Sequence, residues 1–319
     1  MKDFSSLRIV FMGTPEFAVS SLDALVNAGC KIVGVITSPD KPGGRGMQLQ
    51  QSAVKKYAHE HQLKILQPEK LKNPDFLSEL RSLNADLQVV VAFRMLPEAV
   101  WNMPPMGTIN LHGSLLPQYR GAAPINWAII NGEKTTGVTT FKLKHEIDTG
   151  DILLQESFPI DENETAGEIH DRLKLIGAAL LVKTVKGLAD DAIQDIPQSA
   201  ISNQTVVPVN PAPKIYTEHC KIDFAKTTEQ VHNLIRGLSP NPGAFTYLNG
   251  KMLKIYRAEK IMDMILPSAI MVIDHYITNN RTYLYLACAD GFIKILELQL
   301  EGKKKMNTGD FLRGYRFEK

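Results

Sequence analysis

Two polar side chains in the segment GTINLHGSLLPQYRGAAPINWAI (residues 107–129) are spaced so that they can act together. Asn110 and His112 lie two residues apart in a strand-like stretch, and positions i and i+2 of a strand project from the same face. An amide donates hydrogen bonds, and an imidazole gains and loses a proton near neutral pH. The pair therefore indicates either a reaction centre or a hydrogen-bonded polar patch.

Asp148, in HEIDTGDIL (residues 145–153), adds a carboxylate in a predicted turn before a strand. Taken singly, an aspartate in such a turn, like the nearby His145, predicts only local structure. With Asn110 and His112 it completes a set of an amide donor, an imidazole and a carboxylate. Ser114 has no G-x-S-x-G context, and no HExxH or paired His/Cys spacing occurs, so neither a serine nucleophile nor a catalytic metal is expected.

Length and composition predict a two-domain globular protein in a reducing compartment. The chain has 319 residues, of which 44% are hydrophobic and 22% charged, values typical of soluble proteins with real cores. No apolar run is long enough to cross a bilayer, and the N-terminus does not resemble a secretion signal. Three scattered cysteines without CxxC spacing argue against a disulfide framework. A cytoplasmic protein is expected.

The first 150 residues alternate strand-like and helix-like segments. LRIVFMG, KIVGVITS, KILQP, DLQVVVAF and GTINLH are predicted strands, and PEFAVSSLDALVNAG, SAVKKYAHEHQ and DFLSELRSLNA are predicted helices. This alternation predicts a Rossmann-like α/β fold with a mostly parallel sheet, whose ligands bind at the carboxyl ends of the strands. GTPEF after the first strand lacks GxGxxG, and the chain has no GxxxxGK[ST], which disfavours a dinucleotide or ATP site.

The second half of the chain predicts a linker and a smaller β domain. Thr165 and Glu168 form a predicted capping box that opens a long helix. A run rich in Pro, Gln, Ser and Asn follows, and prolines cannot continue a helix or a central strand. Short strands with Asn249-Gly250 and Asp290-Gly291 hairpin signals then predict an OB-like barrel. The predicted boundaries are 1–196 for the first domain, 197–213 for the linker and 214–319 for the second domain.

Charge points to a polyanionic partner. Residues 206–319 carry 16 basic and 11 acidic residues, whereas residues 1–205 carry 20 and 23. SPDKPGGRG (residues 38–46) is a predicted flexible loop that carries Lys41 and Arg45 on the ligand-binding edge of the sheet, where it suits phosphate binding. A solvated charged surface explains the charge distribution equally well, and for the loop taken alone an ordinary solvated loop is the better explanation.

Several motifs together resemble the methionyl-tRNA formyltransferase family. They are FMGTPEFAV, SPDKPGGRG, NLHGSLLPQYRGAAPINWAI, DTGDIL and EGKKKM, which occur in the family's order and span nearly the whole chain. The resemblance implies transfer of the formyl group of 10-formyltetrahydrofolate to the amino group of methionyl-initiator tRNA, without a metal.

The resemblance also implies roles for individual residues. Asn110, His112 and Asp148 form the catalytic set: the first two stabilise an oxyanion, and Asp148 holds His112 and passes a proton. Ser114, Leu115, Leu116 and Pro117 border the folate site. Two departures affect the details, since Arg94-Met95 stands where many relatives have Gly and an aliphatic residue, and Glu146 replaces a Gly.

For the RNA, the resemblance implies that Lys41 and Arg45 insert at the acceptor end, that Lys214 contacts phosphate, and that the enzyme is a monomer. A nucleotide-sugar N-formyltransferase would share the catalytic set, but the basic loop and EGKKKM disfavour it. A purine-pathway formyltransferase needs no second domain. An inert RNA-binding module explains the charge distribution but gives no reason for the catalytic set.

Overall fold

The computed structural model describes residues 4–43, 48–202, 208–261 and 271–317. The chain forms two compact units, each assembled from separate stretches of sequence. The first unit comprises Met1–Gly121, Gly137–Phe158 and His170–Pro211, and the second comprises Ala122–Thr136, Pro159–Ile169 and Ala212–Lys319. Within the described ranges, no helix is both long and apolar enough to span a membrane.

The elements up to residue 202 alternate between strands and helices. In chain order they are β1 (Arg8–Gly13), α1 (Glu16–Asn27), β2 (Lys31–Ile36), β3 (Lys41–Gly43), β4 (Gln48–Gln50), α2 (Ala53–Glu60), β5 (Ile65–Leu66), α3 (Pro74–Ser82), β6 (Leu87–Val91), α4 (Glu98–Trp101), β7 (Thr108–His112), β8 (Arg120–Gly121), α5 (Pro124–Ile130), β9 (Thr135–Lys142), β10 (Ile152–Pro159), α6 (Ala166–Ala189) and α7 (Gln198–Ser202). A 3₁₀ turn, Phe4–Ser6, precedes them.

The main sheet has the order β10-β9-β7-β6-β1-β2-β5. The pairs β1–β2, β1–β6, β6–β7 and β2–β5 are parallel, and β9 runs antiparallel to β7. The mostly parallel α/β fold predicted from the sequence is confirmed. Because β1 lies between β2 and β6, the order of the strands reverses there, and the carboxyl ends around such a reversal are where open α/β sheets bind ligands.

Local sequence explains these elements. Strand β6, LQVVV, is buried along its whole length, as expected of a central parallel strand covered on both faces. Ser52 accepts a hydrogen bond from Lys55 N at 3.0 Å and so caps α2, while Gly29, at φ 83°, follows α1. Glycine adopts this left-handed conformation without steric cost, so it ends the helix where the sequence predicts.

Two segments differ from the sequence predictions. In the predicted loop of residues 38–46, Lys41–Gly43 pairs with Gln48–Gln50 as two antiparallel strands. Asp40 anchors the base of this hairpin, accepting from Lys55 Nζ at 2.6 Å and from Gln67 Nε2 at 2.8 Å. The predicted linker contains α7 and the short strand β11 (Pro211–Ala212). Both segments adopt regular structure because they bond to residues that are distant in the sequence. The proline or glycine content of a segment does not reveal such partners.

The second unit contains an antiparallel sheet. Its remaining elements are the 3₁₀ turn Thr217–Cys220, α8 (Thr228–Gly237), β12 (Ala244–Leu248), β13 (Lys251–Ile261), β14 (Met271–Ile273), β15 (Tyr276–Thr278), β16 (Leu284–Ala287), β17 (Phe292–Leu300), β18 (Met306–Asn307) and α9 (Thr308–Gly314). The order is β12-β13-β17-β16-β15-β14, with β18 paired to β17. This arrangement confirms the OB-like class.

Both predicted hairpins of the second unit are present. Asn249 and Gly250, at φ 50° and 73°, join β12 to β13, as a two-residue turn with positive φ at both positions requires. Asp290-Gly291 lies in the turn between β16 and β17. The predicted capping box is also confirmed, since Thr165 N donates to Glu168 Oε2 at 2.8 Å and Glu168 N donates to Thr165 Oγ1 at 3.3 Å.

A buried histidine makes the stability of the second unit depend on pH. His232 is 2% exposed and donates from Nε2 to Ala258 O at 3.2 Å, while Nδ1 has no hydrogen-bond partner within the described residues. Burial, reinforced by the charges of Arg236 and Lys260, lowers the pKa of His232. Below about pH 6.5 the imidazole of His232 therefore binds a proton more readily in the unfolded chain than in the folded chain. The free energy of unfolding is highest above this pH and decreases as the pH falls below it.

We therefore expect His232→Gln to reduce the acid sensitivity of the protein. Glutamine can still donate to Ala258 O but has no group that titrates. The check is the free energy of unfolding in urea at pH 7.5 and 5.5, where one histidine contributes at most about 1.4 kcal/mol per pH unit. If the difference between the two pH values is the same in the variant as in the wild-type protein, His232 is not the group responsible.

Candidate active site

Strand β7 presents Asn110 and His112 on one face of the main sheet. Asn110 pairs with Phe141 on β9, and His112 pairs with Thr139. Residues directly opposite in an antiparallel pair project from the same face. The ring of His112 meets Phe141 edge-on, with centroids 6.5 Å apart and an interplanar angle of 85°. The side chain of Phe141 thus contacts the imidazole on the face that also carries the amide of Asn110.

The two side chains differ in how they are held. Asn110 is half-buried, and its amide has no hydrogen bond to the parts of the chain that the structure describes. His112 is 8% exposed, and its Nε2 lies 2.8 Å from Tyr119 O. A carbonyl oxygen can only accept, so Nε2 carries a hydrogen and donates it, and Nδ1 is the nitrogen left to face other groups. Asn110 can therefore donate to a substrate, and His112 can act only through Nδ1.

Asp148 faces this free nitrogen. Its Oδ2 lies 3.8 Å from His112 Nδ1 and accepts a hydrogen bond from Gly121 N at 2.9 Å. The first distance suits an ion pair but exceeds a hydrogen bond. The sequence predicts that Asp148 holds His112. In the structure Tyr119 O accepts the hydrogen bond from the imidazole, and Asp148 supplies a negative charge beside Nδ1. Tyr119 and Gly121 act through backbone atoms, which is why residue types did not reveal them.

The turn that carries Asp148 is tightly constrained. Asp148 has φ 54°, a left-handed conformation in which aspartate and asparagine are found more often than other non-glycine residues. At Gly150 a Cβ atom would lie 1.5 Å from Lys142 O, so only glycine fits against β9. Buried Gln198, from the predicted linker, contacts the same turn. His145, Glu146 and Ile147, which precede Asp148, are exposed.

The loop of residues 114–117, here called the SLLP loop, is rigid because its backbone is hydrogen-bonded to side chains of β9 and β10. Thr139 Oγ1 donates to Ser114 O at 2.7 Å and accepts from Leu116 N at 3.1 Å, and Gln155 Nε2 donates to Leu116 O at 2.8 Å. Ser114, Leu116 and Pro117 are buried, whereas Leu115 is half-buried. Ser114 Oγ donates to Gln118 O at 2.6 Å, so its hydroxyl is engaged in the loop, as expected if serine is not a nucleophile here.

The segment after β6 contains the departure noted in the sequence. Arg94 donates from Nη1 to Glu69 O at 2.8 Å and also to Pro68 O, both in the segment after β5. Met95 is 74% exposed. The unusual arginine thus links two loops that follow parallel strands, at the edge of the sheet where β7 ends.

Two of the three predicted RNA-binding residues lie in the described part of the chain. Lys41 is exposed on β3, and Arg45 lies outside the described residues. Lys214 is exposed, with Nζ 5.5 Å from the ring centroid of Tyr216. Among the described residues, no group of three or more His, Cys, Asp or Glu side chains is placed to hold a metal ion.

This arrangement suits addition of an amine to a carbonyl. Two donors on one face of β7, the amide of Asn110 and a protonated Nδ1 of His112, can stabilise negative charge on a carbonyl oxygen. The carboxylate of Asp148 offsets the positive charge of the imidazolium and can accept a proton from an attacking amine.

Comparison with known proteins agrees with this chemistry. The Formyl transferase family matches residues 7–185, and the Formyl transferase C-terminal domain matches residues 214–316. Methionyl-tRNA formyltransferases of Phocaeicola vulgatus and Azobacteroides pseudotrichonymphae are 54% and 53% identical, each over 97% of this chain and 96% of the relative. That of Bacteroides fragilis is 49% identical over 97% of this chain and 95% of the relative.

Solved structures share the fold at lower identity. An N-formyltransferase from Helicobacter canadensis, in complex with folinic acid and dTDP-3-aminofucose, is similar with a TM-score of 0.67 and 22% identity, covering 94% of this chain and 100% of the other. HypX from Aquifex aeolicus, in complex with tetrahydrofolic acid, has a TM-score of 0.62 and 18% identity, covering 96% and 47%. At these identities the likeness concerns the fold alone. The relatives that share about half of their residues with it over nearly their whole length show that this chain belongs to the methionyl-tRNA formyltransferase family.

Proposed function

We propose that this protein transfers the formyl group of 10-formyltetrahydrofolate to the amino group of methionyl-initiator tRNA, which prepares it for translation initiation. The observation that carries the proposal is the pairing of Asp148 Oδ2 with His112 Nδ1 at 3.8 Å, while the other imidazole nitrogen is already bonded to Tyr119 O. This leaves one imidazole nitrogen beside one carboxylate, next to the Asn110 amide, which makes no hydrogen bond to any described residue. Direct attack of an amine on a formyl group needs this set of groups.

The three side chains divide the reaction between oxyanion stabilisation and proton transfer. The amide of Asn110 and the Nδ1 hydrogen of His112 stabilise the oxyanion that develops on the formyl oxygen as the amine adds to the carbon. Asp148, whose Oδ2 lies 3.8 Å from Nδ1 of His112, accepts the proton that the amine loses. That proton then returns to the leaving nitrogen as its bond to the formyl carbon breaks. No group on the protein becomes covalently attached to the formyl carbon.

The folate donor fits the carboxyl edge of the sheet beside β7. It supplies the reactive formyl group, and the SLLP loop, residues 114–117, borders it. Because Ser114 and Leu116 are buried and their backbone is bonded to Thr139 and Gln155, this loop contributes fixed backbone groups and the half-buried Leu115 rather than adaptable side chains. Such preorganisation lowers the entropic cost of orienting a reactive donor.

Three basic residues are proposed to bind the tRNA: Lys41, Arg45 and Lys214. Lys41 and Lys214 are exposed, and charges of this kind contact phosphates without reading sequence.

The domain boundaries 1–196, 197–213 and 214–319 stay a proposal, supported by the family's C-terminal domain match, which begins at residue 214. We also propose a monomer that acts in the cytoplasm. Its three cysteines are free, which accords with a reducing compartment.

The decisive measurement is a comparison of acceptors. We expect the purified protein and 10-formyltetrahydrofolate to formylate charged initiator tRNA and to leave an amino-sugar nucleotide unmodified. Size-exclusion chromatography of the same sample tests the monomer. Formylation of the amino sugar, with none on the tRNA, would assign the chain to the other acceptor class that this fold serves.

The same assay tests the basic loop. Arg45→Ala should raise the KM for tRNA and leave the KM for the folate unchanged, and Arg81→Ala, on the exposed part of α3, is the matched control. Equal loss for both substrates would mean that Arg45 supports the structure of the loop instead of binding RNA.

A further inference from the structure

Gln198 is a buried polar residue in a segment that the sequence predicts as a linker. It is the first residue of α7 and is 3% exposed. A buried carboxamide must find hydrogen-bond partners to offset the loss of water. The partners of Gln198 are therefore the first clue to its task.

The carboxamide of Gln198 joins two segments of the candidate active site. Its Nε2 donates to Asp148 O and to Gly150 O, both at 2.8 Å. Its Oε1 accepts from Arg120 Nε at 3.0 Å and from Arg120 Nη2 at 2.6 Å. The orientation of the amide is unambiguous, because reversing it would place an NH₂ group against the guanidinium, which has only donors.

Both sets of hydrogen bonds end beside the carboxylate of Asp148. The donated bonds hold the backbone on both sides of Thr149, in the turn where Asp148 adopts φ 54°. The accepted bonds hold Arg120, and the next residue, Gly121, donates its N–H to Asp148 Oδ2 at 2.9 Å. Gln198 thus fixes the backbone of Asp148 and also the segment that orients its side chain.

We propose that Gln198 is a positioning residue that sets the distance between the Asp148 carboxylate and Nδ1 of His112. At 3.8 Å, Asp148 Oδ2 makes no hydrogen bond to His112. The separation therefore depends on the groups that hold the backbone and the carboxylate of Asp148, which are Gln198 and Gly121 N. The inference rests on the proposed catalytic role of Asp148. It adds that proton transfer depends on a residue that does not touch either substrate.

Gln198→Glu separates the two sets of hydrogen bonds. Glutamate has the same shape and can still accept from Arg120, but it has no hydrogen to donate to Asp148 O or Gly150 O and would oppose both carbonyls with a negative oxygen. We expect the single-turnover rate at saturating substrates to fall about 10- to 100-fold, as for small misplacements of catalytic groups. The KM values for folate and tRNA should not change.

A second readout does not depend on activity. Labelling with ¹³C-carbonyl arginine and ¹⁵N-glycine selects the four Arg-Gly pairs of the chain, which end at Gly46, Gly121, Gly237 and Gly314. In Gln198→Glu the amide proton of Gly121 should move upfield and exchange faster with water, because its charge-assisted bond to Asp148 weakens. The other three resonances serve as references.

Two further variants complete the design. Gln198→Ala removes the four hydrogen bonds described above without adding a charge and should lower the rate in the same way. Gln299→Glu is the matched control, since Gln299 donates to Lys303 O at 2.9 Å and accepts from Tyr256 Oη at 2.8 Å in the second unit. It should lower the urea midpoint without changing the rate or the Gly121 resonance.

The outcomes distinguish this inference from the proposed function. If Gln198→Glu and Gln198→Ala keep both the wild-type rate and the Gly121 resonance while Asp148→Asn is slowed by about 10²–10⁴-fold, the inference is overturned and the function stands. A shifted Gly121 resonance with an unchanged rate also overturns it, because the turn would have moved without consequence. If Asp148→Asn itself keeps its rate, the proposed role of Asp148 fails whatever Gln198 does.

Discussion

Asp148→Asn should lower the single-turnover rate of formyl transfer by about 10²–10⁴-fold, the range over which positioned acids and bases contribute. Asparagine keeps the size of the side chain, tolerates the φ of 54° at this position, and can still accept from Gly121 N with its amide oxygen. What it removes is the negative charge 3.8 Å from His112 Nδ1. The loss should therefore appear in the chemical step and not in stability.

The measurement is a rapid-quench time course with enzyme in excess over charged tRNA, combined with urea unfolding of the same preparation. Asp151→Asn is the matched control. Asp151 lies three residues further on and pairs with Lys144 Nζ at 2.7 Å, an ion pair whose lysine is exposed, and such pairs contribute little to stability. A rate within about threefold of wild type in Asp148→Asn would show that the carboxylate takes no part in proton transfer.

Asn110→Ala should cost about 10²–10³-fold in the same rate, the usual effect of deleting one donor to an oxyanion. Because the amide of Asn110 makes no hydrogen bond to any described residue and is half-buried, its removal breaks no contact that supports the fold. The free energy of unfolding should change by less than about 0.5 kcal/mol. A large loss of activity without a loss of stability is the signature of a side chain reserved for a substrate.

Asn27→Ala provides the comparison for this second variant. Asn27, at the end of α1, donates to Asp23 Oδ2 at 3.0 Å and should show a small loss of stability at full activity. Folate binding, measured by quenching of protein fluorescence, should be nearly unchanged in Asn110→Ala, since a donor that acts on the transition state contributes little to the ground state. If folate affinity falls as much as the rate, Asn110 binds the donor and does not stabilise the oxyanion.

Most of the fold is predictable because it follows from local patterns. The alternation of apolar strands and amphipathic helices predicts the parallel sheet, and the all-apolar segment of residues 87–91 becomes the central strand β6. Asn249-Gly250 predicts its hairpin because few other dipeptides adopt positive φ twice. Two features do not follow from local pattern, the β3–β4 hairpin and helix α7. Asp40 at the base of the hairpin is held by Lys55 and Gln67, 15 and 27 residues away, and Gln198 of α7 by the backbone of Asp148 and Gly150, 50 and 48 residues away.

The sequence by itself determined the face of β7 that carries Asn110 and His112, because side chains alternate along any strand whatever surrounds it. The sequence also identified Asp148 as a member of the catalytic set, through the resemblance of its motif to that of the family. Only the tertiary structure decided which imidazole nitrogen faces Asp148, because the other nitrogen is bonded to Tyr119 O at 2.8 Å. The role of Gln198 likewise emerges only when α7 packs beside the turn 48 to 50 residues earlier in the chain. Hydrogen bonds to backbone atoms depend on which segments the fold brings together and not on residue type, so no sequence pattern predicts them.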